Sequence, residues 1–185
     1  MKMTTYTDYC LKVTNRASME EAAKAASTLM KGLHAAFSEH ASIQFVLALP
    51  FSECGSPQKK MSVFRVFASS LEDLTLLNRF ISNHPQYDVL FYGKFPQHVP
   101  ADFAGEYKAY TRLRIASRKK PQARYTTMVK VAEQGTLWLD MHSKENGQQF
   151  RMYINVLSGE RSDNGVTNSY GLSNANNPFF VPVLN

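Results

Sequence analysis

Apolar and polar positions alternate with period two from Thr5 to Val13, with Tyr9, Leu11 and Val13 on one side and Asp8, Cys10 and Lys12 on the other. That pattern predicts a half-buried strand. The period changes at Ser18-Met19-Glu20-Glu21, a capping box in which the serine hydroxyl and the glutamate at the third helical position satisfy free backbone amides. Met19, Ala22, Ala26, Leu29, Met30, Leu33 and Phe37 then recur at helical spacing, so a helix is expected to about Ser38. His34 falls on the edge of that stripe, part covered and part wet. Ile43 to Leu49 and Met61 to Ala68 predict two further strands, separated by the polar loop Pro50 to Lys60. Ser70 caps a second helix, with Asp73 in its first turn and Leu74, Leu77 and Ile81 inward; His84-Pro85 ends it, because a residue before proline resists helical backbone. A fourth strand is expected over Tyr87 to Phe95. The order βαββαβ is that of the ferredoxin-like split, assigned to residues 1–97, with Lys94 to Pro100 as a linker.

The second half, residues 98–185, reads as a smaller, β-rich unit. Tyr107 to Ile115 alternates again, so that Ala109, Leu113 and Ile115 are expected toward a core and Lys108, Tyr110, Arg112 and Arg114 outward. Arg118-Lys119-Lys120 precedes Pro121, as a loop or a helix start. Strands follow at Thr136 to Met141 and Gln148 to Val156, joined by the turn Ser143 to Gly147; Phe150, Met152, Ile154 and Val156 share one face of the second. Residues 164–185 carry no charge, yet hold Tyr170, Phe179, Phe180, Val181 and Val183, and are expected to pack against the body. The fold class is α+β.

Charge changes this picture. The net charge is +6, but eight of the 21 Lys and Arg stand between Lys108 and Lys130 with no acid among them; the 13 elsewhere are outnumbered by 15 Asp and Glu. A charge concentrated in one window is a footprint for phosphate, although such a run can also be a solvated face. Arg forks match purine edges, and an aromatic plane among them can stack a base. The apolar stretch Ile43 to Phe51 is too short to span a bilayer, so no membrane association is expected. A start without an apolar signal core, and two cysteines with no CxxC, fit a reducing cytoplasm.

No phosphate-binding glycine loop, HExxH or GxSxG is present, and the five histidines show no metal-ligand spacing joined to carboxylates. Histidine, serine and tyrosine suffice for one chemistry, the scission of RNA by its own 2′-hydroxyl. There the nucleophile is already tethered to the phosphate, and the protein aligns groups and moves protons near neutrality. Neither metal nor cofactor is expected.

Gly147-Gln148-Gln149-Phe150-Arg151-Met152-Tyr153-Ile154, then Ser169-Tyr170-Gly171-Leu172-Ser173, then Phe180-Val181-Pro182 resemble the C-terminal half of the type I-F CRISPR repeat-processing endoribonucleases. Lys31-Gly32-Leu33-His34 is similar to that family's active-site histidine segment, and Thr111-Arg112-Leu113-Arg114 to its major-groove-reading strand. The resemblance implies an enzyme that cuts CRISPR precursor RNA at the base of the repeat hairpin. It would leave a 2′,3′-cyclic phosphate (or 3′-phosphate) and a 5′-hydroxyl, keep the hairpin, and join the backbone subunit of a type I-F Cascade complex. His34 would be the general base or acid, Ser143 would position the 2′-hydroxyl, and Tyr170 would orient the imidazole. Phe150 would stack beneath the closing base pair, and Arg112 would read a guanine with Arg114 beside it. Lys108, Arg118, Lys119, Lys120 and Arg124 would meet the RNA backbone.

The chain departs from the family at three places. Arg114 stands where glutamine is usual, and Arg118, Lys119, Lys120 and Arg124, interrupted by Pro121, replace a long arginine-rich helix. Lys144-Glu145-Asn146 replaces a small polar turn. Fewer phosphate contacts imply a shallower salt dependence of binding. Each role has a plainer counterpart: Tyr170 as a core tyrosine, Ser143 as a turn residue, Phe150 as part of the core. A non-catalytic hairpin-binding subunit of the same complex is the alternative function.

Overall fold

The computed structural model describes residues 2–12, 18–88, 91–115, 128–130, 132, 136–142 and 147–184. In chain order the elements are β1 Thr5–Leu11, α1 Met19–Glu39, β2 Val46–Ala48, α2 Pro57–Lys60, β3 Val63–Ala68, α3 Leu71–Ser82, α4 Pro85–Asp88, β4 Phe91–Gly93, β5 Gln97–His98, β6 Tyr107–Leu113, β7 Leu137–His142, β8 Gln149–Gly159 and β9 Val181–Pro182. They form a mixed α+β structure with two antiparallel sheets. The first runs β2-β3-β1-β4, with β5 also on β1; the second runs β7-β8-β6-β9.

The two long helices start where their caps dictate. The Ser18 hydroxyl accepts from the Glu21 amide at 3.2 Å while the Glu21 carboxylate accepts from the Ser18 amide at 2.7 Å, bonds that hold the Glu21 pKa below its ordinary value. Ser70 accepts from the Asp73 amide at 3.1 Å. Ala22, Ala26, Leu29, Met30, Leu33 and Phe37 are buried as their spacing predicts, as are Leu74, Leu77 and Ile81 (the Met19 side chain is not among those described). One buried cluster joins both sheets, taking Phe64 and Phe67 from the first, Leu139 and Ile154 from the second, and Leu172, Phe179 and Val181 from the C-terminal stretch. The uncharged tail is packed, as expected.

Four expectations need correction. First, β1 is covered on both faces, not half-buried: Asp8, at 6% exposure, sits inside because Arg65 grips it through Nε at 2.6 Å and Nη2 at 3.0 Å. The same guanidinium donates from Nη1 to the Leu184 carbonyl at 2.5 Å, so the chain's end closes over this sheet. (Val13 lies outside the described residues.) Second, the strand expected from Tyr87 is shorter. Proline suits the first position of a helix, where its missing N–H costs nothing, and Pro85–Asp88 forms one turn before β4. Third, the stretch read as a linker carries β5, paired to Thr5 and Tyr6.

Fourth, β6 is covered on both faces at its centre: Ala109 is buried and Arg114 exposed as expected, but Tyr110 is buried too and Leu113 is not. Tyr110 lies opposite Val156 and Arg112 opposite Ile154, and residues directly opposite share a face. The face expected outward therefore meets the core at Tyr110, whose pKa burial pushes up to about 12, while Leu113, expected inward, is 38% exposed. Lys108 is engaged by Glu53 and, at 3.7 Å, by Glu106, with its pKa raised mainly by the hydrogen bond to Glu53. Only Arg112, half-buried, and Arg114, exposed, reach the rim. No described helix is long and apolar enough to cross a membrane.

Candidate active site and nucleic-acid interface

The imidazole of His34 projects from α1 about one and a half turns before its end, and what holds it comes from the C-terminal part of the chain. Its Nδ1 lies 2.7 Å from the Ser169 carbonyl, and its ring stacks on Tyr170 with centroids 4.2 Å apart and planes 18° from parallel. A carbonyl oxygen only accepts, so Nδ1 carries the proton in that bond. In the neutral ring the lone pair then resides on Nε2, the form a general base needs; in the imidazolium both nitrogens donate.

The Ser169-Tyr170 segment is itself rigidly placed. The Asn168 side-chain oxygen accepts from the amides of Tyr170 (2.9 Å) and Leu172 (3.3 Å), and the Asn168 carbonyl accepts from Gly171 at 2.9 Å. Asparagine supplies this kind of local turn because its short amide reaches the backbone two residues on. Gly171 adopts φ +73°, and a Cβ there would lie 2.7 Å from the Phe37 ring and 3.2 Å from the Leu47 backbone nitrogen. Its carbonyl accepts from Leu47 N–H at 2.7 Å, fastening the turn to β2. Gly171→Ala is accordingly expected to cost about 2 kcal/mol or more, because left-handed backbone and steric overlap add. Thermal denaturation checks the loss. Gly32, before Leu33-His34, is needed for a different close approach: a Cβ there would come within 2.9 Å of the Tyr87 ring.

Arg112 and Phe150 lie beside this pair. The Arg112 guanidinium sits 5.2 Å over the Phe150 ring. Burial, first, and the neighbouring Arg114, second, push the Arg112 pKa below its ordinary value, while Tyr170 opposes them. The half-buried Arg112 thus neighbours the exposed Arg114, and neither forms an ion pair to an acid among the described residues. An anionic or acceptor-rich ligand would relieve that repulsion. Beyond Phe150 a cleft opens between α1 and the β7–β8 pair, lined also by Lys31 and His142.

His34 with Tyr170, and Arg112 with Phe150 and Arg114, therefore lie near one another, joined by the Arg112–Tyr170 interaction. Lys108 is drawn away into its carboxylate pair. Ser143, Arg118, Lys119, Lys120 and Arg124 lie outside the described residues, as do Pro121 and the turn residues 144–146. Sequence reasoning missed the Ser169 carbonyl and the Asn168 amide. A backbone acceptor leaves no residue-type signal, but Asn two positions before Tyr170 was a readable turn cue. Among the described residues no group of three or more His, Cys, Asp or Glu could hold a metal ion.

No protein-family model matches the chain, and no curated protein matches it in sequence.

Proposed function

We propose that the protein is a metal-independent endoribonuclease of the type I-F CRISPR repeat-processing kind, cutting precursor RNA at the base of the repeat hairpin and retaining the hairpin within a Cascade complex. The observation that carries the reading is the held imidazole: His34 bonded through Nδ1 to Ser169 and stacked on Tyr170, with the Arg112–Phe150 pair alongside. The element order of the first half and the sheet order β2-β3-β1-β4 agree with a ferredoxin-like split, which we take as its fold.

In this mechanism Nε2 of His34 accepts the 2′-hydroxyl proton, or in its protonated form donates to the leaving 5′-oxygen. The 2′-oxygen attacks phosphorus in line, the P–O5′ bond breaks, and a 2′,3′-cyclic phosphate and a 5′-hydroxyl result. Tyr170 limits rotation of the ring. Ser143 is assigned the positioning of the 2′-hydroxyl by the resemblance. Phe150 offers its face to the closing base pair, and Arg112 reads the edge of a guanine near the stem end, where a short A-form helix leaves its major groove accessible. The Arg–Phe contact holds the fork at the rim in advance.

The test is incubation of a repeat transcript with the protein in EDTA, followed by end-group analysis. Cleavage giving cyclic phosphate and 5′-hydroxyl ends is expected; tight binding without cleavage would favour the non-catalytic hairpin-binding subunit. Arg112→Ala is expected to weaken hairpin binding by roughly 10- to 100-fold and to flatten the preference among stem-base variants, the worth of one bidentate base contact. Titrations against a set of stem variants check this. Unchanged affinities across the set would count against base reading.

A further inference from the structure

We propose that the cleft between α1 and the β7–β8 pair holds single-stranded RNA, the strand that leaves the hairpin base beyond the cut and departs with the 5′-hydroxyl. This rests on the proposed function above and adds a subsite to it. The cleft has a volume of about 1060 Å³ and begins beside the candidate site, because Phe150 and Lys31, one helical turn before His34, both line it. Lys24, seven residues before Lys31, continues the same face, its Cα about 10.5 Å from that of Lys31 along the helix axis. Neither forms an ion pair among the described residues.

The opposite wall is flat. The Arg151 guanidinium lies 4.4 Å over the Trp138 ring, and Asp140, 3.2 Å from Arg151 Nε, holds it there. Unpaired bases stack on such aromatic and guanidinium planes, whereas paired bases do not expose their faces; cations on the other side follow the backbone. Between the two lysines stands Ser27, whose buried hydroxyl has no hydrogen-bond partner among the described residues. Helical Ser and Thr ordinarily bond back to the carbonyl four residues before, as Thr28 does to Lys24 at 3.0 Å and Ser38 to His34 at 2.8 Å. Ser27 forms no such bond among the described residues, and its hydroxyl is buried beneath the cleft's wall.

Trp138 is the sole tryptophan, so its fluorescence reports on this wall alone. The experiment uses the full chain and three RNAs: an oligouridylate of about eight nucleotides, within the span of known single-strand sites; a hairpin ending at the cut; and the same hairpin with a single-stranded 3′ extension and a 2′-deoxy sugar at the cut. Oligouridylate is expected to quench Trp138 saturably, with about tenfold weaker binding in the Lys24→Ala/Lys31→Ala double variant as its phosphate contacts go. The extended hairpin should bind several-fold tighter than the blunt one, and Trp138→Ala should remove that difference while leaving the blunt hairpin's affinity unchanged. Absence of quenching by oligouridylate, or quenching indifferent to both lysines, overturns the proposal and leaves the cleft to a protein partner. The two readings separate cleanly. A protein that cuts the all-ribose hairpin without Trp138 quenching loses only the cleft; one that shows lysine-dependent quenching but neither binds nor cuts hairpins loses the proposed function.

Discussion

His34→Ala is expected to slow hairpin cleavage by about 10²- to 10⁴-fold, the usual worth of a positioned proton carrier, with hairpin affinity nearly unchanged. The two effects separate because the ring makes its described contacts to the Ser169 carbonyl and Tyr170, while the contacts assigned to the stem belong to Arg112 and Phe150. Alanine is the best helix former, and His34 is only half-buried on α1, so the variant should remain folded. Single-turnover cleavage rates beside equilibrium titrations give the comparison. Equal losses in rate and affinity would mean that His34 holds RNA and does not move its protons.

Arg65→Ala is expected to remove the largest share of stability of any single change considered. Asp8 and Arg65 have side chains only 8% exposed, joined at 2.6 Å, and the truncation leaves the carboxylate inside the sheet with Lys94, 3.6 Å away and half-exposed, as its remaining partner. Breaking a buried pair from one side costs about 3–5 kcal/mol, a fall in Tm of roughly 10 °C or more for a chain of this length. The Leu184 carbonyl loses its donor too, so the C-terminal end should become open to proteolysis before the rest of the molecule unfolds. Asp8→Leu combined with Arg65→Met should recover most of the loss, since replacing both charges removes the desolvation cost. Calorimetry on the single and double variants checks this, and a loss as large in the double as in the single would refute the account of the pair.

These two sites also mark what the chain reveals of itself. The helices were legible because capping serines and a 3.6-residue stripe are local signals, and Ser18, Glu21, Leu29 and Leu33 act as their spacing says. Burial on both faces of a strand was not. Asp8 reads as solvent-facing until Arg65, from a different strand, supplies its partner, and Tyr110 reads as surface until the second sheet turns that face inward. Period-two alternation separates two faces without saying which is covered. At the candidate site the side chains His34, Tyr170, Arg112 and Phe150 could be named from residue type and resemblance. The bond that settles the imidazole's tautomer could not, because its acceptor is the backbone of Ser169, placed by Asn168 and by the left-handed turn at Gly171.

The most direct measurement replaces the ribose at the cut with its 2′-deoxy form in a repeat hairpin and compares single-turnover cleavage with the all-ribose RNA. If an imidazole triggers attack by the RNA's own hydroxyl, the deoxy hairpin binds with the same affinity and stays whole. A deoxy hairpin cut at a rate near that of the ribose form would contradict it, since the nucleophile would then have to come from elsewhere.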